Sequence, residues 1–149
     1  MNDDFRDLLG ALVDAGVSFL VVGAHALAAH GVPRVTGDLD IWVRPTDDNA
    51  HRVWQALGVF GAPLPDLDVR ERDFATPNLV VQFGLPPYRV DIMTSISGVE
   101  FAEAWPTRLE GHLFEVPIAF IGRDAFVRNK TASGRPKDLS DVRSLEGRD

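Results

Sequence analysis

The sequence predicts a mixed α/β (α+β) protein with a partly antiparallel sheet. Helix-periodic and strand-like segments alternate early in the chain, two hairpin-like strand pairs follow, and two helical stretches come last. Asp3 to Ala15 reads as a helix, with Phe5, Leu8, Leu9, Leu12 and Val13 at helical spacing and Gly16 as a natural C-cap. Val17 to Val22 is an apolar buried strand that breaks at Gly23. Ala24 to His30 is a short Ala-rich helix closed by Gly31 and Pro33. Asp38 to Val43 is a second strand, and Asp47 to Leu57 a helix capped by Thr46 or Asp47.

Residues 58–76 carry Gly58, Gly61, Pro63 and Pro65 among scattered charges, a long loop with room for one helical turn. Leu79 to Phe83 and Tyr88 to Met93 form a hairpin around Gly-Leu-Pro-Pro. Val99 to Trp105 is a short helix. Arg108 to Ile121 is a second hairpin turning at Gly111-His112, with Pro117 favouring an edge strand. Arg123 to Thr131 and Lys137 to Leu145 are helices separated by Ser-Gly-Arg-Pro. No repeat, low-complexity tract or linker interrupts the 149 residues, so one domain over 1–149 is expected, including the helices from about 123 onward.

Composition narrows the function. With no cysteine, disulfides, zinc–thiolate sites, iron–sulfur clusters and cysteine nucleophiles are excluded. No apolar run approaches the length of a membrane span, and the first residues are acidic where a signal peptide is basic. A cytoplasmic protein without a membrane partner is expected. The net charge of −7 is held entirely by residues 1–100, with 7 basic and 14 acidic side chains; residues 101–149 carry 8 of each. Broad duplex binding is therefore disfavoured. Within the neutral part, Arg123, Arg128, Lys130, Arg135 and Lys137 face only Asp124 in fifteen residues, and these two are the only lysines in the chain.

Chemistry concentrates in Asp38-Leu39-Asp40-Ile41. Strand side chains alternate, so Asp38 and Asp40 share one face while Leu39, Ile41 and Val43 share the other. Two carboxylates so close repel unless a cation sits between them, and Mg²⁺ takes such oxygens together with substrate phosphates. In Tyr88–Met93, Val90 and Ile92 face the core, which puts Arg89, Asp91 and Met93 on the opposite face. Beside the first strand, Asp91 would complete a three-carboxylate cluster able to hold two ions about 3.5–4 Å apart. Gly23-Ala24 supplies a tight strand-to-helix turn that permits close backbone approach. None of the four histidines has metal-motif spacing; His25, just past this turn, is the one placed to touch a phosphate. Trp42 follows on the carboxylate face, suited to core or rim packing or to stacking on a base.

The succession Gly23-Ala24, then Asp38-Leu39-Asp40 on a strand, then Asp91 on a later strand resembles the DNA polymerase β-type nucleotidyltransferase superfamily. Gly31 to Val43 and the closing segments Ile121–Lys130 and Ser133–Asp141 resemble a bacterial subgroup of small nucleotidyltransferase-like proteins related to toxins of toxin–antitoxin systems. The resemblance spans residues 17 to 145. It implies a nucleotidyltransferase fold, a twisted mixed β-sheet with helices packed mainly on one face. It also implies Mg²⁺-dependent transfer of a nucleoside monophosphate from a nucleoside triphosphate to a hydroxyl of RNA, protein or a small molecule, toxin-like in the subgroup. Asp38 and Asp40 would bind two Mg²⁺ ions, or Mn²⁺ in their place, and Asp91 would bind one and help deprotonate the acceptor. Gly23 and Ala24 would cradle the nucleotide phosphates, with Arg34 and Thr36 as polar contacts before the metal strand and Lys130 and Lys137 as phosphate clamps. Asp138 and Asp141, one helical turn apart, would orient those lysines. Ala24 departs from the Gly or Ser usual in the family: it keeps the backbone N–H but lacks a hydroxyl. A second reading therefore stands beside the first, a catalytically inactive binding protein of the same fold or a partner in a toxin–antitoxin pair with a cognate antitoxin.

Overall fold

A computed structural model describes residues 3–84 and 87–147. Its elements in chain order are α1 (Asp3–Asp14), β1 (Phe19–Val22), α2 (Gly23–Ala29), β2 (Asp38–Val43), α3 (Asp47–Phe60), α4 (Leu64–Leu67), β3 (Val80–Phe83), β4 (Arg89–Met93), α5 (Phe101–Ala104), β5 (Leu109–Leu113), β6 (Val116–Phe120), α6 (Arg123–Ser133) and α7 (Pro136–Glu146). The strands form one mixed sheet in the order β3-β4-β2-β1-β6-β5. β1 runs antiparallel to β2 and parallel to β6, β2 runs parallel to β4, and the pairs β3–β4 and β5–β6 are antiparallel. The mixed α/β class expected from the sequence is the class observed.

One apolar cluster joins these elements. Leu8, Leu9 and Leu12 of α1, Val53 and Leu57 of α3, and Leu39, Ile41 and Ile92 of the central strands are fully buried in it. The alternation in β2 is thus realised: Leu39, Ile41 and Val43 are buried, whereas Asp38 and Asp40 are only partly covered. The carboxylate-bearing face is not bare along its whole length. At the far end of β2, Trp42 is buried against Phe101 of α5, ring centroids 5.1 Å apart and nearly perpendicular. Core packing is the outcome for Trp42.

Several boundaries differ from expectation for identifiable reasons. β1 starts at Phe19 rather than Val17 because the Asn49 side chain engages Ser18, accepting from its N–H at 2.7 Å and donating to its carbonyl at 3.0 Å. α3 continues through Gly58 and stops at Gly61, whose left-handed φ of 89° closes the helix. Between them and β3 lie two helical turns rather than one, α4 and a 3₁₀ turn at Glu71–Ala75 that buries Phe74. The β5–β6 hairpin turns at Phe114–Glu115, both at positive φ, and not at Gly111-His112. Gly111 lies within β5, where a Cβ would press on the Phe120 ring at 3.3 Å. Pro117 is not on an edge strand, since β6 lies between β1 and β5. The β1–β6 ladder is confined to Val21↔Phe120, so Pro117 falls beyond it. Part of the Gly-Leu-Pro-Pro connection, residues 85–86, lies outside the described residues. Among those described, no helix is long and apolar enough to cross a membrane.

Candidate functional site

The register of the sheet aligns one row of side chains across four strands. Val22 pairs with Asp40, Asp40 with Asp91, and Asp91 with Gln82. Paired residues on neighbouring strands project to the same side, so two carboxylates from sequence positions 51 residues apart meet in the middle of this row. Asp40 is half-buried, and burial is the main reason its pKa is pushed up to about 6; the charges of Asp91 and Asp38 and a hydrogen bond shared with Asp91 act in the same direction, while Lys130 opposes them.

The end of β1 brings Gly23 against this pair. Gly23 has φ +71°, and a Cβ at its position would meet Asp40 Oδ2 at 2.1 Å. Glycine is required here twice over, by backbone conformation and by contact with the carboxylate.

Asp38 projects to the same face, and its carboxylate is ion-paired. Arg89, its direct neighbour on β4, places Nη2 3.3 Å from Asp38 Oδ2, and its Nε lies 3.9 Å from Asp91 Oδ1. Gln82 donates its side-chain amide to that same Asp91 oxygen at 2.8 Å. The expected cluster is therefore realised as a close pair, Asp40 and Asp91, with Asp38 ion-paired beside it. Among the described residues, no group of three or more histidine or acidic side chains is arranged to hold a metal ion as the side chains stand.

A basic wall faces these carboxylates. The Ser95–Gly98 segment after β4 meets α6 through Asn129, which donates to the Ser97 carbonyl at 3.0 Å, and Arg128, which donates to that of Gly98 at 3.2 Å. α6 then presents Lys130 close enough to Asp40 to influence its ionisation. Behind Lys130, the fully buried Asp138 of α7 lies 3.4 Å from its Nζ and accepts from Ser133 at 2.6 Å and from Arg135 at 2.7 Å. Burial alone would raise the Asp138 pKa, but these hydrogen bonds and the charges of Lys130 and Arg135 outweigh it and hold the carboxyl well below the usual range. One turn on, the buried Asp141 pairs with Arg34 at 2.8 Å, tying the segment before β2 to α7.

Between the two walls lies a cleft of about 630 Å³, lined by Gly23, Ala24, Arg34, Thr36, Asp38, Asp40, Asp91, Lys130 and Lys137 among others. That volume falls within the range of small-molecule sites. The candidate metal- and phosphate-binding residues read from the sequence all line it except His25, while Trp42 and Asp138 lie outside it. His25 points elsewhere, edge-on to Phe114 with centroids 5.6 Å apart, and its Nε2 is buried without a hydrogen-bond partner. Burial lowers its pKa, outweighing a hydrogen bond with the Asp38 backbone that raises it. Thr36 has a local task as well, since its hydroxyl accepts from the Asp38 N–H at 3.0 Å and sets the start of β2. Asp138 orients Lys130 as expected, whereas Asp141 holds Arg34 instead of a lysine. Sequence reasoning passed over Gln82 and the tasks of Arg89 and Arg135. Alternation had put Arg89 on the Asp91 face, and only the parallel register shows that it stands beside Asp38.

No family model matches the chain, and no curated protein matches it. A match does exist among solved structures. A crystal structure from Thermotoga maritima, described as that of a "putative nucleotidyltransferase", is similar to this chain with a TM-score of 0.61. The likeness covers 97% of this chain and 91% of that one at 15% identity. The fold is nucleotidyltransferase-like. The carboxylate row, the Gly23 turn and the basic wall are thus features of a chain with that fold.

Proposed function

We propose that this protein transfers a nucleoside monophosphate from a nucleoside triphosphate to an acceptor hydroxyl. The observation that carries the reading is the juxtaposition of Asp40 and Asp91 against the Gly23 turn, across one cleft from Lys130 and Lys137. Carboxylate oxygens are the donors that Mg²⁺ or Mn²⁺ prefers, and Asp40 carries a charge that its neighbours disfavour, so Asp38, Asp40 and Asp91 suit such an ion. Bound there, the ion would neutralise charge developing on the transferring phosphoryl group.

The remaining roles belong to the chain. Gly23 keeps the rim beside Asp40 free of side-chain bulk, and the Gly23-Ala24 backbone is open to the cleft for a phosphate. Lys130, Lys137 and Arg34 supply positive charge for a triphosphate of about four negative charges. Asp91 takes the proton of the acceptor hydroxyl as its oxygen bonds to the α-phosphorus; the bond to the β-phosphate oxygen breaks and pyrophosphate leaves. Incubation with each labelled nucleoside triphosphate, Mg²⁺ and a bacterial lysate tests this. Labelled RNA, protein or small molecule with wild type, and none with Asp40→Asn, is the expected result. Absence of label with every triphosphate overturns it.

A second reading is favoured by the ion pair of Arg89 with Asp38 and by Ala24, which lacks a hydroxyl. On that reading the chain is a non-catalytic binding protein, such as one half of a toxin–antitoxin pair. Calorimetry with Mg²⁺ and millimolar triphosphate separates the two, because only the enzyme requires heat of binding that Asp40→Asn removes.

A further inference from the structure

Arg89 already supplies a cation to two of the three carboxylates. Its guanidinium lies 3.3 Å from Asp38 and 3.9 Å from Asp91. A free divalent ion approaching Asp38 and Asp91 competes for oxygens this group holds, and meets its like charge. A triphosphate changes the competition. Guanidinium pairs well with phosphate oxygens through its fork of N–H groups, and Arg89 both lines the cleft and is nearly half exposed at 46%, which leaves it free to turn toward such a ligand. Gln82 still holds Asp91 through its amide when the guanidinium leaves, so that carboxylate keeps its place.

Resting on the nucleotidyl-transfer reading, we infer that Arg89 is a built-in counter-cation that makes divalent-ion entry conditional on the nucleotide. Asp38 and Asp91 stay paired with Arg89 until a triphosphate draws the guanidinium away, and the ion and nucleotide then enter together. The free protein binds the ion poorly.

Mn²⁺ titration followed by electron paramagnetic resonance tests this without reference to turnover. Wild type is expected to bind Mn²⁺ weakly alone and strongly with a non-hydrolysable triphosphate analogue. Removing one positive charge from beside the carboxylates should tighten binding of Mn²⁺ alone by roughly tenfold in Arg89→Gln. The analogue should then tighten Mn²⁺ binding less than it does in wild type. Arg89→Lys, which keeps the charge without the fork, should fall between the two and serves if Arg89→Gln fails to fold. If the variants bind Mn²⁺ alone no more tightly than wild type, while wild type still takes it up with the analogue, the role of Arg89 is overturned and the transfer reading stands. If no form binds Mn²⁺ with or without the analogue, the transfer reading falls, and this inference with it.

Discussion

Two aspartates on opposite sides of one cleft, Asp40 on β2 and Asp138 on α7, are treated in opposite ways by the fold. Asp40 is half-buried among its own kind, with Asp91 beside it in register and Asp38 two residues away, and its pKa rises to about 6. Asp138 is fully buried but surrounded by donors, Arg135, Ser133 and Lys130, and its pKa falls. A buried carboxylate that is fully hydrogen-bonded to cations stabilises local structure; one crowded by other carboxylates costs stability and gains only when a cation arrives. The α7 carboxylate steadies the basic wall, and the β2 carboxylate stands crowded across the cleft from it.

The contrast breaks most visibly if Asp138 is neutralised. Asp138→Asn leaves Lys130 and Arg135 without their shared anion, and removal of one partner from such a buried network costs about 2–4 kcal/mol. For a chain of this length the melting temperature should drop by roughly 8 °C. A melt indistinguishable from wild type would show that the basic wall stands without it. Next in size is Gly23→Ala. A methyl group 2.1 Å from Asp40 Oδ2, on a backbone at φ +71°, should cost about 2 kcal/mol and remove any melting shift caused by Mg²⁺ with triphosphate. An unchanged melt would mean that Asp40 yields easily and is not held by its surroundings.

How far the comparison could be read from sequence depends on the range of the forces involved. The strand Asp38–Val43 was legible to the residue, because alternation of Asp with Leu and Ile is local. The same alternation put Asp91 on the face opposite Val90 and Ile92, and grouped it with Asp38 and Asp40 on condition that the two strands were neighbours. Spacing one turn apart suggested that Asp138 would steady a lysine, and it does so for Lys130. Alternation within β2 and within β4 says nothing about register between them, so the Asp38–Arg89 pairing was not legible. Nor was the Phe114–Glu115 turn, where two non-glycine residues at positive φ run against local preference and Phe114 packs on Phe5 and His25 from distant parts of the chain. His25 was misplaced for the same reason, since its direction follows from that packing rather than from its place after Gly23.

Asp40→Asn sharpens the contrast from the other side. It removes a crowded charge and leaves an amide of the same shape, so the ligand-free protein should gain about 1–2 kcal/mol at pH 7.5. Thermal melts with and without Mg²⁺ and triphosphate should show a more stable variant that no longer responds to ligand. A destabilised variant would mean that the Asp40 charge is satisfied in the folded state.

The smallest effect is the pH dependence of that gain, and it separates charge crowding from any other benefit of the amide. A carboxyl whose pKa is about 6 when folded and near 3.8 when unfolded binds more protons in the folded state between those values. Stability therefore falls as pH rises through that window, and the full cost is reached at about pH 7. Asp138 has its pKa depressed, so the stability it contributes is fully present above its unfolded value and is lost only as pH falls below that; it adds no slope between pH 5 and 7. Subtracting wild-type from Asp40→Asn unfolding free energies cancels the carboxylates remote from Asp40 and leaves the cluster it forms with Asp91 and Asp38. The advantage of the variant should grow by about 1 kcal/mol from pH 5 to pH 7 and level off above that. Urea titrations at half-unit pH intervals would show it. A difference that stays flat across this range would mean that Asp40 ionises normally, and that the two walls of the cleft do not differ in the way their geometry indicates.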